Sequence, residues 1–213
     1  MKLGELKLEC LRLMAVNDEK LFIDRIEEYK SDELYKYYLD RMNGSINRAL
    51  SRFMLFKVLP FKTKEIKPSE CETLGQYLKL NLKVISDLNS IERIIYINED
   101  AVYMDLDFKS VGENEILINF NDLARYKGKE EKIVITYSPN VMIEEKADEG
   151  SELDIPETLA RIIPYFVKGE LYELDEPNVS ANARNIFESA LNEYVAYGKP
   201  KKARQQYVKN TLY

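Results

Sequence analysis

The hydrophobic period changes twice along this chain, and that change limits what it can fold into. Residues 3–57 carry apolar side chains at helical steps. From Val58 the period switches to the alternation of strands, and over Glu152 to Gly198 the helical spacing returns. The last stretch reads as two helices joined by the acidic turn Leu174-Asp175-Glu176-Pro177-Asn178. Leu159, Ile162, Ile163, Phe166 and Val167 form the stripe of the first, with Asp154 as its cap and Pro156 in its opening turn. Pro164 falls inside that stripe and predicts a kink. The second helix starts near Ser180, with Ala183, Ile186, Phe187, Ala190, Leu191 and Tyr194 on one face, and stops at Gly198 before Pro200. So short a link predicts antiparallel packing, and neither stripe is buried without a partner from the rest of the chain.

The first half supplies that partner. Leu3, Leu6, Cys10, Leu13 and Met14 share one face of a helix over residues 3–14. Residues 18–30 are mixed, with a short helix over Leu21 to Ile26. Ser31 or Asp32 opens a long helix whose stripe is Leu39, Met42, Ile46, Ala49, Leu50 and Phe53. Gly44, in its middle, predicts close packing or a bend, and Pro60 sets its end near Lys57. Between the helical halves, Leu78–Val84, Arg93–Ile97, Val102–Phe108, Glu115–Phe120 and Lys132–Tyr137 read as about five strands. Turn residues separate them at 98–100, 110–114 and 127–129. Strand follows strand with no helix between, which predicts an antiparallel sheet. The expected class is therefore α+β: an antiparallel helical bundle from 1–57 and 152–198, with an inserted small antiparallel β-sandwich or open barrel. The insert runs over 58–151, its return linker being Val141 to Ser151, and a basic arm follows over 199–213.

The chain of 213 residues contains no histidine, which removes the commonest general base and metal ligand. Its two cysteines, Cys10 and Cys71, make no disulfide framework and have no histidine to activate them; Cys10 reads as a core thiol. Asp105 and Asp107 would share one face of a strand and could hold a hard cation, although a solvated sheet face explains them as well. Ser45 lies inside a helix with no base partner in view. No phosphate loop, dinucleotide fingerprint or zinc spacing is present, so no catalytic, cofactor-binding or metal-binding residues are expected. No apolar run approaches the ~20 residues that cross a bilayer, and the opening MKLGELKLECLRLM lacks the apolar core of a secretory signal.

Charge is unevenly placed. The net charge of −6 argues against a dedicated nucleic-acid binder. Glu144 to Glu176 holds eleven acids against three bases, whereas Lys199 to Tyr213 holds five bases and no acid. That tail has three readings: a disordered terminus, a weak phosphate binder, or an arm that docks on protein. Tyr207, Val208, Leu212 and Tyr213 favour the last, because apolar anchors serve no purpose in a purely phosphate-binding tail. The candidate interface residues are these four with Lys199, Lys201, Lys202 and Arg204. A competing reading makes the β insert a ligand- or glycan-binding module, with Tyr96, Tyr103, Tyr126 and Tyr137 either lining its face or serving as core and cross-strand pairs.

Three motifs, KLGELKLECLRLM, YYLDRMNGSINRALSRFMLFKVLP and ELDIPETLARIIPYFVKGELYELDEPNVSANARNIFESALNEY, resemble those of tailed-phage head-to-tail adaptor (connector) proteins. The likeness covers both helical halves, about half the chain. It implies a structural virion protein of the neck, synthesised in the host cytoplasm. Such a protein forms a homo-oligomeric ring, twelve-fold by resemblance, under the portal protein. DNA passes through the ring without specific binding, and a tail or nozzle protein attaches below. The arm from Lys199 to Tyr213 would be the portal-docking element.

Overall fold

The computed structural model describes residues 1–14, 33–98, 103–119, 131–144 and 147–198. The short helix expected over Leu21 to Ile26, the turn at 127–129 and the arm 199–213 lie outside them. The chain is mixed α+β and divides into two compact units, Leu59–Val141 and the segments on either side of it.

The helical unit begins with α1 (Leu3–Met14), whose bounds match the spacing. Twelve residues are marginal as an isolated helix, and distant sequence completes both ends of this one. The Leu3 and Gly4 amides donate to the carbonyls of Ser151 and Glu149, each at 2.9 Å. Glu5 accepts from the Lys2 amide at 2.8 Å, which is half of a capping box. At the other end, Lys168 Nζ donates to the Leu13 carbonyl at 2.8 Å and Tyr172 Oη to the Met14 carbonyl at 2.9 Å. These donors satisfy carbonyls that a helix C-terminus leaves open.

The long helix α2 spans Glu33–Leu55. It ends through a left-handed residue rather than at Pro60. Lys57 adopts φ 51°, its amide donates to the Met54 carbonyl, and the Val58 amide donates to the Phe53 carbonyl. This is the Schellman arrangement, with lysine where glycine is usual. Gly44 is exposed and meets only Arg48 at ordinary contact distance, so the expected close packing is not found there. The tight glycine is Gly169. A Cβ on it would lie 2.6 Å from Arg184 Cγ and 3.3 Å from the Ser180 carbonyl oxygen.

The return half differs from its sequence pattern in two ways. The chain enters α3 (Glu157–Ala160) through Pro156, with no side-chain cap, so Asp154 does not take the capping position. The stripe is interrupted just before Pro164: α3 ends at Ala160 and α4 spans Ile163–Leu171, while Arg161 and Ile162 between them keep right-handed helical angles, as the expected kink requires. Pro164 therefore sits in a first turn, where a missing N–H costs nothing. The helix α5 spans Pro177–Glu193 and starts three residues earlier than Ser180 for the same reason, a proline at its first position. Tyr194–Gly198 continue it as a π-helical turn.

The helix α4 packs against α1, α2 and α5. It runs antiparallel to α5, since Gly169 faces Ser180 and Phe166 faces Phe187. The Ser180 hydroxyl, buried, donates to the Gly169 carbonyl at 2.6 Å. Phe187 sits edge-on to Phe166 at 4.9 Å and stacks with Phe53 at 6.0 Å. Phe53, Phe187, Leu50, Met42, Ile46 and Val167 are wholly buried. At about 1.5–3 kcal/mol for each large side chain removed from water, this cluster dominates the unit.

The β unit holds two antiparallel four-stranded sheets. Its strands are β1 (Lys62–Ile66), β2 (Glu72–Leu74), β3 (Tyr77–Asn81), β4 (Leu88–Ile97), β5 (Tyr103–Asp105), β6 (Phe108–Ser110), β7 (Glu115–Asn119) and β8 (Lys132–Pro139). One sheet runs β1-β8-β4-β5, the other β2-β3-β7-β6. Leu74 pairs with Tyr77 across a two-residue loop in which Gly75 has φ 61°, as a type II′ hairpin turn requires. The inward residues of both sheets share one core: Ile66, Ile94, Tyr96, Ile133 and Ile135 from the first, and Leu78, Leu80, Ile116 and Ile118 from the second.

The stretch expected as a single strand over Val102–Phe108 is two strands of different sheets. The chain crosses between them at Leu106, whose amide donates to the Ile94 carbonyl, and Asp107, whose carbonyl accepts from the Asn119 amide. Asp105 and Asp107 therefore do not share a strand face.

Candidate functional site

Two unlike apolar features stand at the two ends of α5, on a helical unit that also exposes Leu55 and Tyr37 and has a groove of about 600 Å³ between α1 and the start of α4. With seventeen residues at 1.5 Å each, the two end features lie about 25 Å apart along the helix. At the first end, the turn between α4 and α5 presents Leu174, which is 92% exposed, between Glu173 and the exposed pair Asp175 and Glu176. At the other end lies a groove of about 370 Å³ between α3 and the end of α5. Thr158, Leu159, Ile162, Ala190, Glu193, Tyr194 and Tyr197 line it, and Tyr197 is 86% exposed.

Between these ends an ion-pair chain ties the three longest-range helices together. Glu170 of α4 accepts from Arg48 of α2 at 2.6 Å and from Arg184 of α5 at 3.4 Å. Arg184 also holds Glu173 at 2.7 Å, and Arg52 pairs with Glu188. Part of the acidic run 144–176 is thus consumed within the unit. Glu149 is likewise taken by the buried Lys7, at 3.1 Å. Leu174, Asp175 and Glu176 remain at the surface.

The β unit offers a separate cleft of about 580 Å³. The β3–β4 connection supplies Lys83 and Ser86, the start of β4 supplies Asn89, the start of β6 supplies Phe108, and the β6–β7 turn supplies Glu113 and Asn114. The aromatic residues named from sequence are elsewhere. Tyr96 is wholly buried and Tyr137 is 6% exposed, both in the core, so neither lines an open face. Burial first, then the Glu131 carboxylate, pushes the Tyr96 hydroxyl up to about 12. The Tyr137 hydroxyl donates to Asp87 at 2.9 Å, and Lys62 donates to the same carboxylate at 2.8 Å. Burial opposes ionisation of Asp87, but these two partners outweigh it and hold its carboxyl below the usual range. Of the other two tyrosines, Tyr103 lies in β5 and Tyr126 lies outside the described residues.

No protein-family model and no curated protein matches this chain. The reading of the site therefore rests on its own chemistry.

That chemistry is sparse. Asp105 is gripped by both nitrogens of Arg93, at 2.5 and 2.9 Å, which lowers its carboxyl below the usual range. Ser45 is buried and accepts from Arg48 at 3.1 Å. Burial raises the Cys10 thiol, with Glu9 adding to the effect, and burial likewise raises Cys71. Thiols shifted upward are poor nucleophiles. Among the described residues no group of three or more Asp, Glu or Cys could hold a metal ion, and no helix is long and apolar enough to cross a membrane. The interface residues named from sequence, Lys199, Lys201, Lys202, Arg204, Tyr207, Val208, Leu212 and Tyr213, all lie outside the described residues. The two ends of α5 were not singled out by sequence. Their one visible signal was a stripe too wide to be buried whole: Ile186, assigned to it, is 39% exposed.

Proposed function

We propose that this chain is a structural virion subunit, a head-to-tail connector that docks under a portal protein, extends the DNA channel and gives the tail or nozzle protein its platform. In this reading α1, α2, α4 and α5 form an antiparallel bundle and the two sheets form a sandwich inserted in it. The observation that carries the reading is the pair of unlike apolar features at opposite ends of α5, the Leu174 turn and the Tyr197 groove. A ring needs a heterologous contact, in which two different patches of one subunit complement each other. Self-complementary dimers need only one. The net charge of −6 suits a channel that lets DNA pass without gripping it.

The mass of the full chain, alone and with a portal ring, tests the proposal. Assembly on the portal, lost on deletion of 199–213 while the circular dichroism is unchanged, is the expected result. A chain that stays monomeric with every portal tried, or a deletion that still co-assembles, overturns it. Reversing Lys201 and Lys202 to Glu weakens assembly in a salt-dependent way, because exposed charges are screened over about 8–10 Å.

The cleft beside Phe108 favours a second reading, a small-ligand or glycan module in the β unit. An oligosaccharide ordered in that cleft at micromolar affinity would promote it over the connector.

A further inference from the structure

We infer that the groove between α3 and the end of α5 receives the C-terminal arm of a neighbouring copy of this chain, with Tyr207, Val208, Leu212 and Tyr213 as the side chains that fill it. The inference rests on the connector reading and assigns the arm to the contact between subunits instead of to the portal, so loss of portal assembly on deleting 199–213 would follow from loss of the ring.

Three observations point to this occupant. The groove is mostly apolar, floored by the buried Leu159 with Ile162, and walled by Ala190, Tyr194 and Tyr197. It is therefore shaped for aromatic and aliphatic anchors rather than for a phosphate or a sugar. Its rim carries one carboxylate, the exposed Glu193; the nearby Glu157 lines a different groove beside α1 and is paired with Arg161 at 2.5 Å. The arm brings the matching chemistry in order: Lys199, Lys201, Lys202 and Arg204 first, then the four apolar residues. Bases that meet carboxylates at a rim while apolar groups fill the centre is the usual division of an interface.

Reach admits the chain's own groove as well as a neighbour's, and the connector reading selects the neighbour's. The described chain ends at Gly198, one residue past Tyr197 on the groove wall. The first anchor, Tyr207, comes nine residues later, and nine extended residues cover about 30 Å. Turning back into the adjacent groove closes a loop at a cost near 2 kcal/mol. Reaching outward needs the end of the arm: a helical unit of this size is about 35 Å across, which Tyr207 at about 30 Å does not span and Tyr213, at up to about 50 Å, does. An arm that leaves the rim of one groove to fill the next repeats without being self-complementary, which is what closes a ring.

The test uses two full-length chains distinguished by isotope labelling, one with Thr158→Cys at the groove rim and one with Leu212→Cys in the arm. They are mixed at high concentration, oxidised, and mapped by peptide mass spectrometry. A disulfide joining position 158 of one chain to position 212 of the other is expected. It should disappear when Ala190→Arg is added to the groove chain, an obstruction on a surface that tolerates arginine in a helix. A doubly substituted chain that links only to itself at high dilution, with no mixed product, assigns the groove to its own arm and overturns the inference. Absence of any 158–212 link, or a link indifferent to Ala190→Arg, overturns it also. The wild-type mass with portal separates the two claims. A ring without the cross-link leaves the connector and removes the groove contact, whereas a cross-link without a portal-bound ring does the reverse.

Discussion

The helical unit and the β unit hold themselves together by different means. In the β unit every strand pairs with a neighbour, β4 and β8 with two register shifts between Leu88 and Arg93, and the core residues of the two sheets repeat the same Ile and Leu chemistry. Its ion pairs join adjacent strands at the surface: Arg93 to Asp105, Lys132 to Glu65, Lys79 to Glu115. Each such pair contributes about 0–1 kcal/mol, so no single one decides the unit. The helical unit is assembled from opposite parts of the sequence through a few specific contacts. Asn47 exchanges two hydrogen bonds with the backbone of Ile143, at 2.8 and 2.9 Å, and α1 borrows its end partners from residues 149–151, 168 and 172. The lesson is one of redundancy: the sheets spread their stability over many equivalent pairs, and the helices concentrate theirs.

The largest test of that contrast is Phe187→Ala. It empties a wholly buried site touching Phe53 and Phe166, at a cost of about 3–5 kcal/mol. Hydrogen exchange should lose protection across α1, α2, α4 and α5 and keep it in β3, β4, β7 and β8. Equal loss in both units would break the comparison. Next comes Asn47→Ala, which leaves the Ile143 amide and carbonyl without their partner and costs about 1–3 kcal/mol. Arg93→Ala on the sheet surface should move the denaturant midpoint by less than about 1 kcal/mol equivalent.

A pH test sharpens the β side. The folded hydroxyl of Tyr96 titrates near 12, above the ordinary value of 10.0, so the folded state favours the neutral form. Its contribution is complete below pH 10 and falls as pH rises from 10 toward 12. A denaturant midpoint that falls over that window, and falls less in Tyr96→Phe, is the expected outcome. The smallest effect is a gain. Gly44→Ala, at an exposed mid-helix position, should add about 0.5–1 kcal/mol in thermal unfolding. The same change at Gly169, where Arg184 and Ser180 press on α4, should subtract stability.

Much of the fold was legible where periodicity was clean. The bounds of α1, the body of α2, and the centres of β3, β4, β7 and β8 follow from spacing because each buries one regular face. Strands β1 and β2 were not legible. In KTKEI only Ile66 is buried, and all of ETL is exposed, so these sheet edges carry no alternation to detect. The sheet crossing at Leu106 and Asp107 was hidden for the opposite reason. Met104, Leu106 and Phe108 alternate straight through it, with no glycine or proline to mark the break. Pro164 did mark a break, but a proline signals where a helix is interrupted and not how far the two pieces then diverge. The candidate site shared that fate. The groove forms where α3 packs beside the end of α5, a tertiary pairing that no local pattern marks, and the tyrosines chosen from sequence were chosen for type, while burial of Tyr96 and Tyr137 is set by register.

The seam between α1 and the segment around Glu149 has a consequence for synthesis. Lys7 and Glu149 stand 142 residues apart in the chain. At 5–20 residues per second, a ribosome makes the second on the order of ten seconds after the first. Leu59–Val141 has all of its strands only when β8 ends at Pro139, ten residues and about a second before Glu149 is made, so that unit is complete just ahead of the seam. The opening helix is therefore made first and seated last, and during the wait its apolar stripe is exposed to whatever chaperone or sister chain it meets.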